Sequence, residues 1–448
     1  MPIEESAREL EARLILALCA VRDGWKAVIG HQTGFFKHAH RLPNGVYFAK
    51  GTNEIQRREM AALKRRGFGI TAIEEENVPL ADPLLIKHIM AKGAADLIDL
   101  YFAHGEFDAE VVAEANPTIR NKLEIVGVGR FDLLKRNFLK QRQAKTVELM
   151  ERYGNFILIN TNFGYANTFL GSPRDFYDRM LVGFGLIDVN NEIERALWDR
   201  ALEFETRTME RVMALVRTLA AEVPVVIRPH TSENLSTWQA LEDEMDWGGR
   251  LQVVREGPVI DWLLASRLVV QNSCTTGLEA KAMGAPVISY TPFDNGMLSS
   301  FVANQVMRRV NTDAEVLDLA RRAVKGDPLE DVLTGTGPEP IGRYIRQSDG
   351  ELVSERQWQS IKRKFDGVTK PASAAVFPKE KLKLENLHPQ MKRKFSVTPE
   401  QFRDALVMVT RAVRSAFDVN VRVAGAGLFE LSRPVQSPTA DPALHLSA

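Results

Sequence analysis

Between residues 156 and 290 short apolar runs alternate with helical patterns: NFILINTNF, a helical stretch around 193–222, PVVIRPH, RLQVVRE, VIDWLLAS, RLVVQNS, TTGLEAKAMG and APVISYTP. Runs of two to four apolar residues rich in Val, Ile and Leu, bounded by polar or turn residues, suit buried strands and lack the polar alternation of a sheet with one wet face. Strands of that kind separated by helices demand a parallel sheet covered on both sides. The same alternation occupies the first third of the chain, in KAVIGHQ (26–32), GVYFAKG (45–51), GITAIEEEN (69–77), DLIDLYFAHG (96–105) and KLEIVGVGR (122–130). Ahead of it, residues 5–22 carry Leu10, Leu14, Ala17 and Val21 near one helical face, and Gly24 follows as a stop.

Two such series in 448 residues predict two α/β domains of Rossmann-like type, over 1–145 and 146–325, with the boundary in the charged helical segment 134–153. Beyond residue 325 the pattern decays into GDPLEDVLTGTGPEP, so 326–430 is expected to form an extension. It contains a basic stretch with Lys379, Lys381, Lys383, Lys392, Arg393 and Lys394, then one well-marked helix. That helix opens at Thr398-Pro399-Glu400-Gln401, a capping-box spacing, and carries the stripe Phe402, Leu406, Val409, Val413 and Phe417. Residues 431–448 have the composition of a disordered tail.

With 58 basic and 58 acidic residues the chain has no global reason to seek nucleic acid. Its two cysteines, Cys19 and Cys274, have no metal or redox spacing, and no run of about 18 apolar residues or basic-then-apolar leader is present. A cytoplasmic protein is expected, with residues 379–417 serving either as a solvated linker and helix or as a peripheral contact with the inner membrane face.

In an open parallel sheet, ligands bind beyond the carboxyl ends of the strands. The stretch LVVQNSCTTGLEAKAMGAPVISY delivers Gln271, Asn272 and Ser273 to such an end, and Thr275 and Thr276 to the start of the next helix. Unpaired backbone N–H groups and small hydroxyls there suit a phosphate oxygen, although Ser273 or Thr275 would equally suit a plain N-cap. VVIRPHTSE ends another strand with Arg228, His230, Ser232 and Glu233, a cation and an imidazole placed to face an anion. Glu279, one turn into the helix, is a candidate for ribose hydroxyls or a solvated carboxylate. Asn160, Thr161 and Asn162, after NFILI, either bind sugar hydroxyls or close an Asx turn.

In the first series the strand-end candidates are His31 and Gln32, Lys50 and Thr52, the carboxylates Glu74, Glu75 and Glu76, and His104. Three consecutive glutamates offer a base toward an acceptor hydroxyl, or a nucleophile if configuration is retained; the bland alternative is a solvated loop. No Asp-x-Asp stands at a strand end and no ligand-spaced cluster is visible, so no metal is expected.

VVIRPHTSE and VIDWLLASRLVVQNSCTTGLEAKAMGAPVISY together resemble the nucleotide-binding C-terminal domain of B-type glycosyltransferases. With RELEARL, GVYFAKG, ITAIEEEN and NTNFG in order, residues 1–310 are similar to the bacterial surface carbohydrate biosynthesis family. The resemblance implies two Rossmann-like domains facing across a cleft, the GT-B arrangement. It also implies a nucleotide-sugar substrate rather than a bound cofactor. The strand end Arg228-Pro229-His230 with Glu233, and the hydroxyls of Ser273, Thr275 and Thr276, are similar to those of transferases using CMP-activated keto sugars such as Kdo, where histidine and hydroxyls hold the nucleotide phosphate. Two departures stand out: Pro229 precedes His230 where many relatives have His before Pro, and a first strand normally precedes the RELEARL helix.

The expected activity is therefore transfer of a sugar from a nucleotide donor to a cell-surface polysaccharide or glycolipid, with Lys50, His104 and Asn160 to Asn162 binding sugar in the cleft. A turn without a glycine-rich diphosphate loop favours a one-phosphate donor, CMP. The alternatives are a UDP-sugar epimerase of the same fold, a CDP-polyol phosphotransferase and a non-catalytic polysaccharide-assembly protein.

Overall fold

The computed structural model describes residues 1–75, 80–183, 185–337, 339–347, 350–366, 395, 397–415 and 417–434. These divide into two compact units. The first comprises the described residues of Met1–Glu76, Ile89–Gln141 and Ile345–Ala448, and the second those of Asn77–His88 and Arg142–Tyr344.

The second unit contains six parallel strands: β7 (Ile157–Asn160), β8 (Val225–Arg228), β9 (Leu251–Val253), β10 (Leu268–Gln271), β11 (Val287–Tyr290) and β12 (Arg309–Val310). They lie in the order β12-β11-β10-β7-β8-β9. Counted within the unit this is 3-2-1-4-5-6 read from the β9 edge, the doubly wound Rossmann order, which reverses direction beside the central strand β7. All four β7 residues are buried because helices cover both faces, which is why ILIN carries no alternation. On one face Ile157, Ile159, Val225, Ile227, Leu268 and Val270 pack against Val212, Leu215, Val216 and Leu219 of the helix Glu192–Ala220. Asn191 starts that helix by accepting from the N–H of Ile193 and Glu194.

The first unit has two sheets where one was expected. β3 (Val46–Ala49), β4 (Gly69–Ile73), β5 (Leu100–Ala103) and β6 (Leu123–Ile125) run parallel in chain order. The other sheet has the order β1-β2-β14-β13. It joins β1 (Pro2–Ile3) and β2 (Ala27–His31) to a hairpin of β13 (Asn420–Gly425) and β14 (Leu428–Ser432) from the far end of the sequence. Pro2 and Ile3 pair in parallel with Gly30 and His31, so the RELEARL helix does have a short strand before it. β14 runs antiparallel to β2, with Phe429 opposite Ile29.

Residues 326–430, read from the sequence as an extension, therefore divide between the units. The helix Val353–Phe365 docks on the helix Ser6–Arg22 through a two-pronged Arg22–Glu355 pair at 2.8 and 2.9 Å, and Asp23 Oδ2 accepts from Trp358 Nε1 and Lys362 Nζ. Asp132 starts the docked helix, accepting from the N–H of Val353 and Ser354 at 2.7 and 2.8 Å. The helix Pro399–Val413 carries the expected capping box between Thr398 and Gln401, but ends before Phe417. Its Phe402, Leu406, Val409 and Ala412 are buried, with Phe402 stacked on Phe429 at 4.0 Å, so its apolar stripe faces its own unit rather than a membrane. The basic stretch 379–394 and residues 435–448 lie outside the described residues. Among those described, no helix is long and apolar enough to cross a membrane.

Candidate functional site

The carboxyl ends of β8, β7 and β10 meet at the reversal of the second sheet, where Arg228, Asn160 and Gln271 stand in register. Beyond β7 the chain straps both neighbours. On the β8 side, Thr161 Oγ1 donates to Glu233 Oε1 at 2.6 Å. On the β10 side, Asn162 Nδ2 donates to the Ser273 carbonyl at 3.2 Å. Gly164 allows the β7 and β8 loops to meet, since a Cβ there would sit 2.5 Å from Ser232 Oγ.

Glu233 has no exposed surface and its carboxylate is occupied by the protein. Oε1 accepts from Thr161 and from the His230 N–H, and Oε2 from Trp238 Nε1 at 2.9 Å and Asn167 Nδ2 at 3.4 Å. Four donors around one carboxylate make it the fastener of the Arg-Pro-His loop rather than a group aimed at a donor nucleotide. His230 Nδ1 lies 2.6 Å from Ser232 Oγ and accepts from the Ser232 N–H at 3.3 Å, which leaves the proton of the neutral ring on Nε2. Arg228 Nη2 donates to the Gly257 carbonyl at 2.6 Å.

Beyond β10 the backbone turns sharply through Ser273, whose φ of 54° lies in the left-handed region that side-chain residues seldom adopt. Asn304 holds this turn: its Oδ1 accepts from the Ser273 N–H at 3.2 Å and its Nδ2 donates to Ser273 Oγ at 3.0 Å. Ser273 Oγ in turn donates to Asn272 Oδ1, and Asn272 Nδ2 to the Tyr290 carbonyl at 2.8 Å. Asn272 and Ser273 thus build the turn rather than present hydroxyl or amide outward. Asn304 lies 31 residues from Ser273 and has no local signature that could have marked it.

The helix Thr275–Ala282 follows with Cys274 as its N-cap and no side-chain capping bond. Gln271 Oε1 accepts the Cys274 N–H at 2.8 Å, and Thr276 Oγ1 turns back to Cys274 Sγ at 3.0 Å. The N–H of Thr275 meets no acceptor among the described residues, while that of Thr276 is turned toward Cys274 Sγ. Gly277 brings this helix close to the sheet, because a Cβ there would fall 2.7 Å from Gln271 Cγ. Glu279 is buried in the helix's second turn, 4% exposed, which removes the solvated-carboxylate reading.

Ile157 and Ile159 face the main core, so Leu158 and Asn160 face the opposite side. That is also the side of Gln271 and therefore of the uncapped helix start. Asn160 is 3% exposed, and neither its Nδ2 nor its Oδ1 has a hydrogen-bond partner among the described residues. A buried amide with neither atom bonded is costly. It stands beside a helix start that offers an N–H donor.

Glu205, on the long helix, accepts the N–H groups of Tyr165 and Ala166 at 2.8 and 3.1 Å. Burial, together with the nearby charge of Glu233, pushes its carboxyl up to about 8 against the two N–H donors.

In the first unit the strand-end charges pair with one another. Lys50, 1% exposed, places Nζ 2.5 Å from Glu4 and 3.9 Å from Glu9. Glu74 Oε2 accepts from both the N–H and hydroxyl of Thr52 at 3.1 Å. Glu75 is bound by Arg13 at 2.5 Å, and that guanidinium lies 4.4 Å over the Phe48 ring. Glu76 lies outside the described residues. His31, expected as a strand-end catalyst, is instead a helix cap, its Nδ1 accepting from the N–H of Thr33 and Gly34. Gln32 binds Glu59, whose carboxyl burial pushes up to about 7. His104 at the end of β5 is buried, its Nδ1 3.4 Å from Asp108.

No protein-family model matches the chain, and no curated protein matches it. Among solved structures, a Methanocaldococcus jannaschii UDP-GlcNAc 2-epimerase with UDP-GlcNAc and UDP is similar at 13% identity and a TM-score of 0.44, over 80% of this chain and 97% of that one. The S. aureus MnaA–UDP co-structure is similar at 14% identity and a TM-score of 0.41, over 81% of each chain. The wall teichoic acid polymerase TagF is similar at 10% identity and a TM-score of 0.32, over 62% of this chain and 61% of that one. Likenesses this distant assign no activity, and the fold rests on the strand order above.

Proposed function

We propose that the second unit binds a nucleotide-activated sugar with its phosphate at the start of the helix Thr275–Ala282, and that the chain transfers this sugar to a surface glycan or glycolipid. The observation that carries the reading is the uncapped helix start on the same sheet face as the unpartnered Asn160 amide, at the reversal point of a 3-2-1-4-5-6 sheet. The Thr275 N–H, the Thr275 hydroxyl and the helix dipole offset the charge of a leaving phosphate. Asn160 supplies one donor group and one acceptor, which suits a sugar hydroxyl pair or a base edge.

A CMP-activated keto sugar such as Kdo is the first donor to try, since Gly277 is the one glycine in the turn QNSCTTG. Calorimetric titration with CMP, CDP, UDP and GDP tests the binding step, followed by product analysis with the matching sugar nucleotide with and without glycan acceptor. Transfer that requires acceptor supports the reading. Conversion of a UDP-sugar to its epimer without acceptor replaces transfer by epimerisation, and no nucleotide binding at millimolar concentration overturns the proposal altogether.

A further inference from the structure

β2 and β3 belong to different sheets of the first unit, and the seam between them is not close-packed: a cavity of about 140 Å³ opens there. Phe48 of β3, with Leu16, Ala20, Trp358 and Ile361 of two covering helices, walls one end. Its strand neighbour Tyr47 points to the opposite face, where Phe35 lies 5.2 Å away and reaches Phe68 at 6.5 Å. Phe35 and Phe68 wall the other end. The cavity is therefore elongated, running through the sheet plane past Val28 of β2 and Val46 of β3, which are only half-buried as a result.

The side chains of this wall ask for neither charge nor hydrogen bonds. Lys26 and Asn44, exposed at the mouth, are engaged by the protein: Lys26 pairs with Glu430 at 3.5 Å, and Asn44 Nδ2 donates to the Arg66 carbonyl at 2.6 Å. Trp358 Nε1 donates to Asp23 Oδ2 at 3.0 Å. Among the described residues, no buried side-chain polar atom that lacks a hydrogen-bond partner belongs to the wall. Protein interiors leave few gaps larger than a water molecule, and an apolar cavity of about 150 Å³ stays dry and binds benzene, so this one has room for about six carbons. We propose that the seam cavity binds the end of an uncharged hydrocarbon chain, such as a lipid tail, threaded between the two sheets with the rest of the molecule leaving past Lys26 and Asn44. The site lies within the first unit and is independent of the nucleotide reading.

The test titrates the full chain with butanol, hexanol and octanol, and with hexanoate and hexylamine, following melting and tryptophan fluorescence, since Trp25 and Trp358 both line the cavity. The alcohols are expected to bind saturably, with affinity rising about fourfold per added methylene until the cavity is full. Hexanol is expected to bind more tightly than either charged probe. Bound alcohol should raise the melting point relative to a filled variant at the same concentration. Ala20→Leu fills the cavity from the helix side and Val28→Phe from the strand side; each is expected to abolish binding without lowering the melting point of the ligand-free protein. Failure of hexanol and octanol to bind saturably overturns the proposal. So does undiminished binding in both filled variants, or strong destabilisation of both, as overpacking of a close-packed core would give. An affinity independent of chain length overturns the assignment of a chain, and a charged probe that binds as tightly as hexanol overturns the assignment of an uncharged ligand.

Discussion

The two units place polar residues at the same position, the carboxyl ends of parallel strands, and satisfy them in opposite ways. In the first, opposite charges neutralise one another: Lys50 with Glu4, Arg13 with Glu75. In the second, a mostly uncharged network of Thr161, Asn162, Asn272, Ser273 and Asn304 fixes the loops around one buried carboxylate, yet among the described residues leaves the Asn160 amide and the Thr275 N–H without partners. Internal pairing makes a strand end self-sufficient, whereas a rigid frame around unsatisfied groups prepares it for a ligand.

The largest test of this contrast is Glu233→Ala. It removes the acceptor of four donors, three of them side chains in the second unit's interior, and is expected to cost about 3–5 kcal/mol of that unit's stability. In calorimetry the second unit's transition should drop while the first unit's stays. Equal movement of both would show that the units do not keep separate networks.

Next is Thr275→Pro. Proline suits the first position of a helix, and Cys274 before it already has extended φ and ψ of −100° and 135°, so the substitution deletes the N–H and hydroxyl of Thr275 without breaking the helix. Nucleotide affinity should fall about tenfold to a hundredfold at an unchanged melting point, since charge-assisted bonds contribute about 1.5–3 kcal/mol. Unchanged affinity would place the phosphate elsewhere.

Asn160→Leu removes a buried, unpartnered amide and should raise stability of the ligand-free protein by about 1 kcal/mol while weakening ligand binding. A stability loss would mean that the amide is satisfied in solution by ordered water.

The effect confined to one pH range is that of Glu205. Its folded carboxyl is raised from about 4.5 to about 8, so its contribution is fully present below pH 4.5 and is lost as pH rises through 8. Glu205→Gln keeps the acceptor for the Tyr165 and Ala166 N–H groups. It should raise the second unit's melting point at pH 9 and leave it unchanged at pH 4.

The parallel strands were legible because local composition determines them: ILIN, VVIR, LVVQ and VISY are apolar runs of strand length between helices. The candidate site, at the ends of β7, β8 and β10, was legible as a set of neighbouring strand ends and much less as a set of contacts. Ser273 looks like an N-cap in sequence, but its left-handed φ and its bond to Asn304 depend on a residue far along the chain. Glu233 looks like a ligand carboxylate until Thr161, Asn167 and Trp238 close around it. His31 reads as a strand-end catalyst because nothing local shows that its ring accepts the N–H groups that follow. The pairing of β14 with β2 joins residues some 400 positions apart, and such a long-range pairing leaves no trace in either segment alone.

That pairing has a consequence for biosynthesis. The second unit is built almost entirely from the continuous stretch 142–344, so it can consolidate while the ribosome is still extending the chain. The first unit, though begun earlier, cannot complete its sheet until Leu428–Ser432 has emerged. Until then the β2 edge stays open as a template for strand addition, and a nascent chain stalled before residue 428 would present that edge to chaperones or to other chains.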